Sequence, residues 1–316
     1  MNISIGKIRR LQQLTRNGYF KVIAIDHRDV FVNMLKSANK PHAVDDIVKE
    51  KLKIIELSGS DITGYLIDPH FALPECIYKN VLPENLGFMV NFEDNDYDVK
   101  NFDDNYFIKG FSVEKIAALG ASALKLFMYY NPTGEYVEKQ EAIIEKLCMS
   151  CDKYSLPFLL EPVLYYDKDV TYQEKIQTAY DMIKRLSKYK VDIFKIDFPG
   201  DVDILSKEEN LKICQDISAI LDVPWVIMSS GISMDIFEKQ LEIACRGGAC
   251  GYVVGRALWS EYVLKDGKRE EEIKLMKSGI KTLGEIVDKN AKPIKEKLGY
   301  ANSKYDQHEW YTRLKI

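Results

Sequence analysis

Two lysines lie in segments where lysine is normally depleted. Lys125 falls in SALKLFM and Lys195 in VDIFKID, short apolar runs with the composition of β-strands. Burial beside another cation destabilises an ammonium, lowers its pKa and leaves a neutral amine able to attack a ketone, so two such lysines can tune each other. Glu161, in the apolar run PFLLEPV, must either pair with a lysine or hold a raised pKa suited to proton transfer. An amine nucleophile with a proton-moving carboxyl suits Schiff-base cleavage of a carbon–carbon bond. The plainer alternative stays open: Lys125 and Lys195 could be ion-pair partners of Asp or Glu, with Glu161 salt-bridged to Lys195.

Other reactive residue types stand at the ends of similar runs. VIAID is followed by His27-Arg28, so that Asp26, His27 and Arg28 form one acidic and basic cluster. Ser229-Ser230-Gly231 follows PWVIM, and Gly255-Arg256 follows GYVV. Backbone N–H groups, glycine and an arginine on adjacent turns suit a phosphate or another tetrahedral anion. Either turn alone is ordinary turn chemistry, and the pair is more specific.

These residues need a scaffold that brings separate strand ends together. Eight short runs read as strands, at 22–26, 62–68, 86–91, 122–128, 157–163, 191–197, 224–230 and 251–255. Amphipathic segments alternate with them, among them 113–119, 141–154, 173–189 and 207–221. Eight βα units predict a (β/α)8 TIM barrel, whose active site lies at the C-terminal ends of its strands. A doubly wound open sheet would usually carry a glycine-rich turn after its first strand, where this chain has DHRDVF. The first 20 residues read as a helix closing the barrel bottom, and the chain after about residue 265 as one or two further helices. No linker or short repeat divides the 316 residues, which read as a single domain over 1–316 with extra terminal helices.

Composition narrows the partners. The formal charge is -4 with acids and bases intermixed, which argues against a nucleic-acid partner while allowing a local basic pocket. No apolar run is long enough for a membrane span or a signal peptide, so a cytoplasmic location is expected. The six cysteines fit reduced thiols, and the CxxC spacing of Cys148 and Cys151 near a helix end has no second pair to complete a zinc or redox motif. His27, His42, His70 and His308 lack metal-ligand spacing, so neither a metal nor a cofactor is expected. The acidic stretch EDNDYDVKNFDD at 93–104, counted as a calcium loop from Asp94, meets Val99 and Asn105 where glycine and glutamate are needed, and reads as a solvated loop. Tyr129-Tyr130 and Tyr165-Tyr166 suit either the barrel mouth or simple packing.

Taken together, AIDHRD, ALKLFMYYN, LLEPVLYYD, IFKIDFP, MSSGIS and VVGRALW resemble the tagatose-1,6-bisphosphate aldolase family in order and spacing, from about residue 5 to residue 290. That resemblance implies a class I aldolase on a barrel, with Lys195 forming the Schiff base and Glu161 the acid/base. It further implies Lys125 in binding and charge balance, and Asp26 near the reacting hydroxyls. Ser229, Gly231, Gly255 and Arg256 match the phosphate loops, and Ser230, His27 and Arg28 join the expected substrate contacts. The family usually has Asp-Gln-Arg after strand 1, whereas this chain has Asp26-His27-Arg28. EPV at 161–163, PWVIMSSG at 224–231 and LGEIVD at 283–288 are closer to the related sulfofructose-phosphate aldolases.

The expected reaction is reversible cleavage of D-tagatose 1,6-bisphosphate to dihydroxyacetone phosphate and D-glyceraldehyde 3-phosphate. Cleavage of 6-deoxy-6-sulfofructose 1-phosphate, releasing sulfolactaldehyde, is the nearest alternative. A catalytically weak sugar-phosphate sensing or interaction protein is the alternative of another class. The expected partner is a phosphorylated ketose, with no nucleic acid and no membrane. A homo-oligomer is compatible with such a barrel.

Overall fold

The computed structural model describes residues 3–59, 61–94, 107–166, 169–265 and 269–298. Eight strands pair in parallel and close in chain order into a barrel. They are β1 (Phe20–Ile25), β2 (Gly64–Ile67), β3 (Gly87–Asn91), β4 (Ala123–Tyr130), β5 (Phe158–Leu164), β6 (Ile193–Ile196), β7 (Trp225–Met228) and β8 (Gly251–Val254). One of them falls within or across each expected run, and β8 returns to β1 through pairs such as Val22 with Val253. The fold is therefore the (β/α)8 TIM barrel that the alternating pattern predicts.

Helix α1 (Ile5–Gln13) precedes the barrel, and α2 (Asp29–Ser37) and α3 (Val44–Leu57) both lie between β1 and β2. The following connections carry α4 (Leu73–Tyr78), α5 (Val113–Ala118), α6 (Val137–Lys153), α7 (Tyr172–Leu186), α8 (Lys207–Ile220) and α9 (Met234–Arg246). After β8 come α10 (Arg256–Leu264), α11 (Arg269–Asn290) and α12 (Ile294–Leu298). Local chemistry sets several of the starts. Thr171 with Glu174, and Ser206 with Glu209, form capping boxes that satisfy the first N–H groups of α7 and α8. Among the described residues no helix is long and apolar enough to cross a membrane.

The period of two along each strand separates two cores. Ile23, Ile25, Tyr65, Leu124, Leu160, Phe194, Trp225 and Val254 belong to the cluster beneath the outer helices. The alternate positions Val22, Ala24, Leu66, Met89, Ala123, Leu159, Ile193, Val226 and Val253 pack together inside the barrel. Leu11 of α1 and Leu14 just after it join Ile294 and Leu298 of α12 in plugging this inner core, as expected of a helix closing the bottom. Buried Lys7 reinforces that end by bonding Asp152 and, at 2.8 Å, Asp192.

Candidate active site

Continuing the inner phase toward the strand ends replaces apolar residues with charged ones. Ala123 is followed two residues later by Lys125, Leu159 by Glu161, Ile193 by Lys195 and Ala24 by Asp26. The period of two thus aims all four at the barrel axis. Parallel register sets their heights: Lys125 pairs with Leu159 and Phe127 with Glu161, while Leu159 pairs with Ile193. Glu161 therefore stands level with Lys195 and between the two lysine-bearing strands.

The resulting contacts form one continuous charged network. Lys195 Nζ is 2.7 Å from Glu161 Oε1, and Lys125 Nζ is 3.0 Å from Glu161 Oε2. Lys125 also meets Asp26 Oδ2 at 3.1 Å and Glu93 Oε1 at 2.8 Å. Every member of this network is buried. The expectation that the lysines tune each other as adjacent cations needs amending, because the Glu161 carboxylate bridges them. Lys125 fits the ion-pair alternative, with three carboxylates around one ammonium. Lys195 has Glu161 as its carboxylate contact and reaches the open cavity.

That cavity, of about 280 Å3, is lined by Lys195 and Glu161 together with His27, Ser229, Ser230, Gly231, Gly255 and Arg256. Eight of the residues singled out from sequence therefore converge on one space. Lys125 and Asp26 lie behind its wall, joined to it through Glu161. Arg28 is absent from the cavity lining; its guanidinium bonds the Glu93 carbonyl at 3.1 Å and the Asp94 carboxylate at 3.2 Å. Tyr129 contributes to the lining, while the Tyr130 hydroxyl bonds Glu141 at 2.7 Å, away from it. Among the described residues no cluster of His, Cys, Asp and Glu could hold a metal ion.

Two backbone features shape the anion end. Ser230 and Gly231 both take left-handed conformations, with φ of 48° and 81°, and a Cβ on Gly231 would stand 3.3 Å from the Arg256 guanidinium carbon. The turn after β7 thus lies against the side chain that opens α10. Gly255, the N-cap of α10, makes no side-chain cap, and a Cβ there would come within 2.9 Å of the His27 ring. Glycine lets the imidazole close against the N-terminus of α10. His27 also stands edge-on to Trp259, with ring centroids 5.3 Å apart. Burial, reinforced by the Arg256, Lys195 and Lys51 cations, lowers its pKa to about 3 against the opposing pull of Asp26. His27 is accordingly a neutral imidazole near pH 7.

Three features escaped the reading of the sequence. Glu93 was assigned to a solvated loop, yet it is buried, with Oε1 on Lys125 and Oε2 accepting from the Phe127 N–H at 3.1 Å. Burial raises its pKa despite Lys125. The remainder of that acidic stretch, 95–104, lies outside the described residues, whereas Asp94 is exposed. A signal was present, since Met89, Asn91 and Glu93 continue the inner phase of β3. Asp197, two residues beyond Lys195, also lines the cavity and accepts a hydrogen bond from the Ser230 hydroxyl. Lys51, wholly buried on α3, pairs with Asp68 and donates to the carbonyls of Ile25 at 3.1 Å and His27 at 2.6 Å. It pins the turn bearing Asp26 and His27, and no spacing in the sequence links it to that turn.

Known proteins share this architecture along most of the chain. The model of the DeoC/LacD family aldolases matches residues 23–261. Tagatose 1,6-diphosphate aldolase 2 of Streptococcus pyogenes serotype M6 is 27% identical, with 94% of this chain and 99% of that protein aligned. Tagatose 1,6-diphosphate aldolase of Staphylococcus aureus strain bovine RF122 / ET3-1 is 26% identical over 90% of this chain and 95% of its own. Among solved structures, fructose-bisphosphate aldolase from Slackia heliotrinireducens superposes with a TM-score of 0.64 at 18% identity, covering 96% of this chain and 93% of that one. Fructose-bisphosphate aldolase from Plasmodium falciparum gives a TM-score of 0.68 at 10% identity, covering 92% and 98%. At these identities the structural likeness speaks for the fold.

Proposed function

The chain belongs to the DeoC/LacD family of aldolases, and we propose that it is a class I aldolase with Lys195 as its Schiff-base lysine and D-tagatose 1,6-bisphosphate as its substrate. The observation that carries the assignment of the lysine is the 2.7 Å contact between Lys195 Nζ and Glu161 Oε1 on the wall of a cavity that also holds Arg256. Lys125 has three carboxylates around it and does not line that cavity. The names of the relatives support the choice of sugar.

In this reading Lys195 loses a proton through Glu161 to solvent, which returns Glu161 to its carboxylate form, and the free amine adds to the C2 carbonyl of the ketose. Loss of water gives an iminium, which draws the electrons of the C3–C4 bond as that bond breaks. A base takes the C4 hydroxyl proton and glyceraldehyde 3-phosphate leaves; the enamine regains a proton at C3, and hydrolysis returns dihydroxyacetone phosphate. Glu161 is assigned the proton transfers at C4 and C3. Ser229, Ser230, Gly231, Gly255 and Arg256 hold the C1 phosphate, whose binding fixes C2 beside Lys195. His27 offers a neutral ring to the substrate. Lys125 and Asp26 fix Glu161 from behind, and Arg28 holds the turn after β3. A cytoplasmic location belongs to the same proposal.

Borohydride reduction in the presence of dihydroxyacetone phosphate should leave one covalent adduct on Lys195, insensitive to chelator and missing in Lys195→Ala. An adduct on Lys125 instead would reverse the assignment. The sugar is tested by steady-state cleavage of D-tagatose 1,6-bisphosphate, its C4 epimer and 6-deoxy-6-sulfofructose 1-phosphate. His27 in place of the usual glutamine and the EPV segment favour the sulfonate as the second reading. Equal or faster turnover of it would displace tagatose.

A further inference from the structure

We propose that Asp197 is a second catalytic carboxyl, the acid that expels water when the carbinolamine on Lys195 becomes the iminium. The inference rests on the Schiff-base reading of Lys195 and adds a step to it. Departure of hydroxide from carbon is slow unless a proton reaches the leaving oxygen as the C–O bond breaks. Glu161 must be a carboxylate when the C4 hydroxyl gives up its proton, and its two oxygens face Lys195 and Lys125 at 2.7 and 3.0 Å, so the proton for the leaving oxygen is assigned to another group.

Asp197 is placed differently. It lies one residue past the end of β6 and two after Lys195, and both residues line the same cavity. Its Oδ1 accepts from the Ser230 hydroxyl, and its second oxygen has no hydrogen-bond partner among the described residues. The surrounding ionisable groups are Glu161 from β5, Lys195 from β6, Arg256 from α10 and Tyr166 from the loop after β5. Burial raises the Asp197 pKa; the Glu161 charge adds to this, while the Ser230 bond, Lys195 and Arg256 oppose it. Two carboxyls flanking one amine, one held by ammonium groups and the other by a hydroxyl, are suited to opposite proton-transfer roles.

The step balances within the site. The Asp197 proton joins the C2 hydroxyl, the C2–O bond breaks to release water, and the nitrogen lone pair forms the C=N bond. When water later attacks that iminium, its proton returns to Asp197 and restores the acid. Ser230, held in a left-handed conformation, aims its hydroxyl at Asp197 from the turn assigned to the phosphate. Phosphate binding and the acid are thereby set side by side.

Exchange of the C2 oxygen of dihydroxyacetone phosphate with heavy-oxygen water isolates this step, because dehydration and rehydration of the carbinolamine replace that oxygen without any carbon–carbon cleavage. Wild type should catalyse exchange above the background given by Lys195→Ala. Asp197→Asn should slow it by about 100-fold or more with KM little changed, as expected on removing a general acid. Asp197→Glu, which keeps a carboxyl at that position, should recover part of the exchange that Asp197→Asn loses. Exchange by Asp197→Asn within about threefold of wild type, or an equal loss in Asp197→Glu, would overturn the role of Asp197 while leaving Lys195 in place. Absence of Lys195-dependent exchange in wild type would instead remove the underlying Schiff-base reading and this step with it. Should Asp197→Asn fail to fold, Asp197→Ser takes its place under the same criteria.

Discussion

The two ends of the barrel interior are built from the same strands and the same side-chain phase, yet they do opposite things. Toward the bottom, Val22, Met89, Ala123, Leu159 and Ile193 form an apolar plug sealed by Leu11, Leu14, Ile294 and Leu298. Two residues further along, Lys125, Glu161 and Lys195 form an ion network with Asp26 and Glu93. The lower layer gains stability from removing apolar surface from water, whereas the upper one carries the desolvation cost of several charges. Their adjacency teaches that a single strand can supply stability and chemistry at successive inward positions. The plug holds the strands in register, and register sets the 2.7 Å contact above it.

Paired substitutions on one strand test that division most strongly. Glu161→Gln should cut turnover by about 100- to 10,000-fold, the usual range for loss of a general acid or base, while borohydride trapping of the adduct is partly retained. Near-normal cleavage kinetics would exclude Glu161 from the chemistry. Leu159→Ala, two residues below, should destabilise the fold by about 2–5 kcal/mol in urea titrations and leave kcat per folded molecule close to wild type. A large loss of kcat there with normal stability would erase the contrast between the layers.

Smaller effects sharpen it at the rim. Arg256→Ala should raise KM for a phosphorylated ketose by about 10- to 100-fold, the worth of one charged hydrogen bond. An equal loss with the unphosphorylated ketose would place Arg256 elsewhere in the reaction. His27 titrates near 3 when folded and near 6.5 when unfolded, so the unfolded chain binds the extra proton between those values. Stability from burying the neutral ring is therefore present above pH 6.5 and falls as pH drops, by at most about 1.4 kcal/mol per unit. His27→Gln should remove that component, seen as a flatter dependence of urea stability between pH 7 and 5. An unchanged slope would mean that the ring is protonated in the folded protein.

Much of the site was readable because it obeys strand periodicity. Lys125, Glu161 and Lys195 stand out as charges in apolar runs, and the Ser229-Ser230-Gly231 and Gly255-Arg256 turns follow strands that are neighbours in the barrel. Glu93 was hidden by its surroundings, since the eleven residues after it include five further acids and mimic a solvent-facing loop. Asp197 carried the correct phase but is the last residue of the run at 191–197, and nothing local marks it out. Arg28 was grouped with the substrate contacts because it follows Asp26 and His27, but its position in space depends on where the β3 loop presents the Glu93 carbonyl.

The sequence by itself determined the order of strands and helices, the inward phase of the charged residues and the pairing of two anion-type turns, because these depend on local period and composition. Only the tertiary structure decided which charges meet. The shared Glu161 between two lysines, the three carboxylates on Lys125, the clamp of Lys51 on the β1 turn and the Asp197–Ser230 bond all join residues far apart in the chain. Such contacts are set by strand register, barrel closure and helix packing, which place one element's side chains against another's.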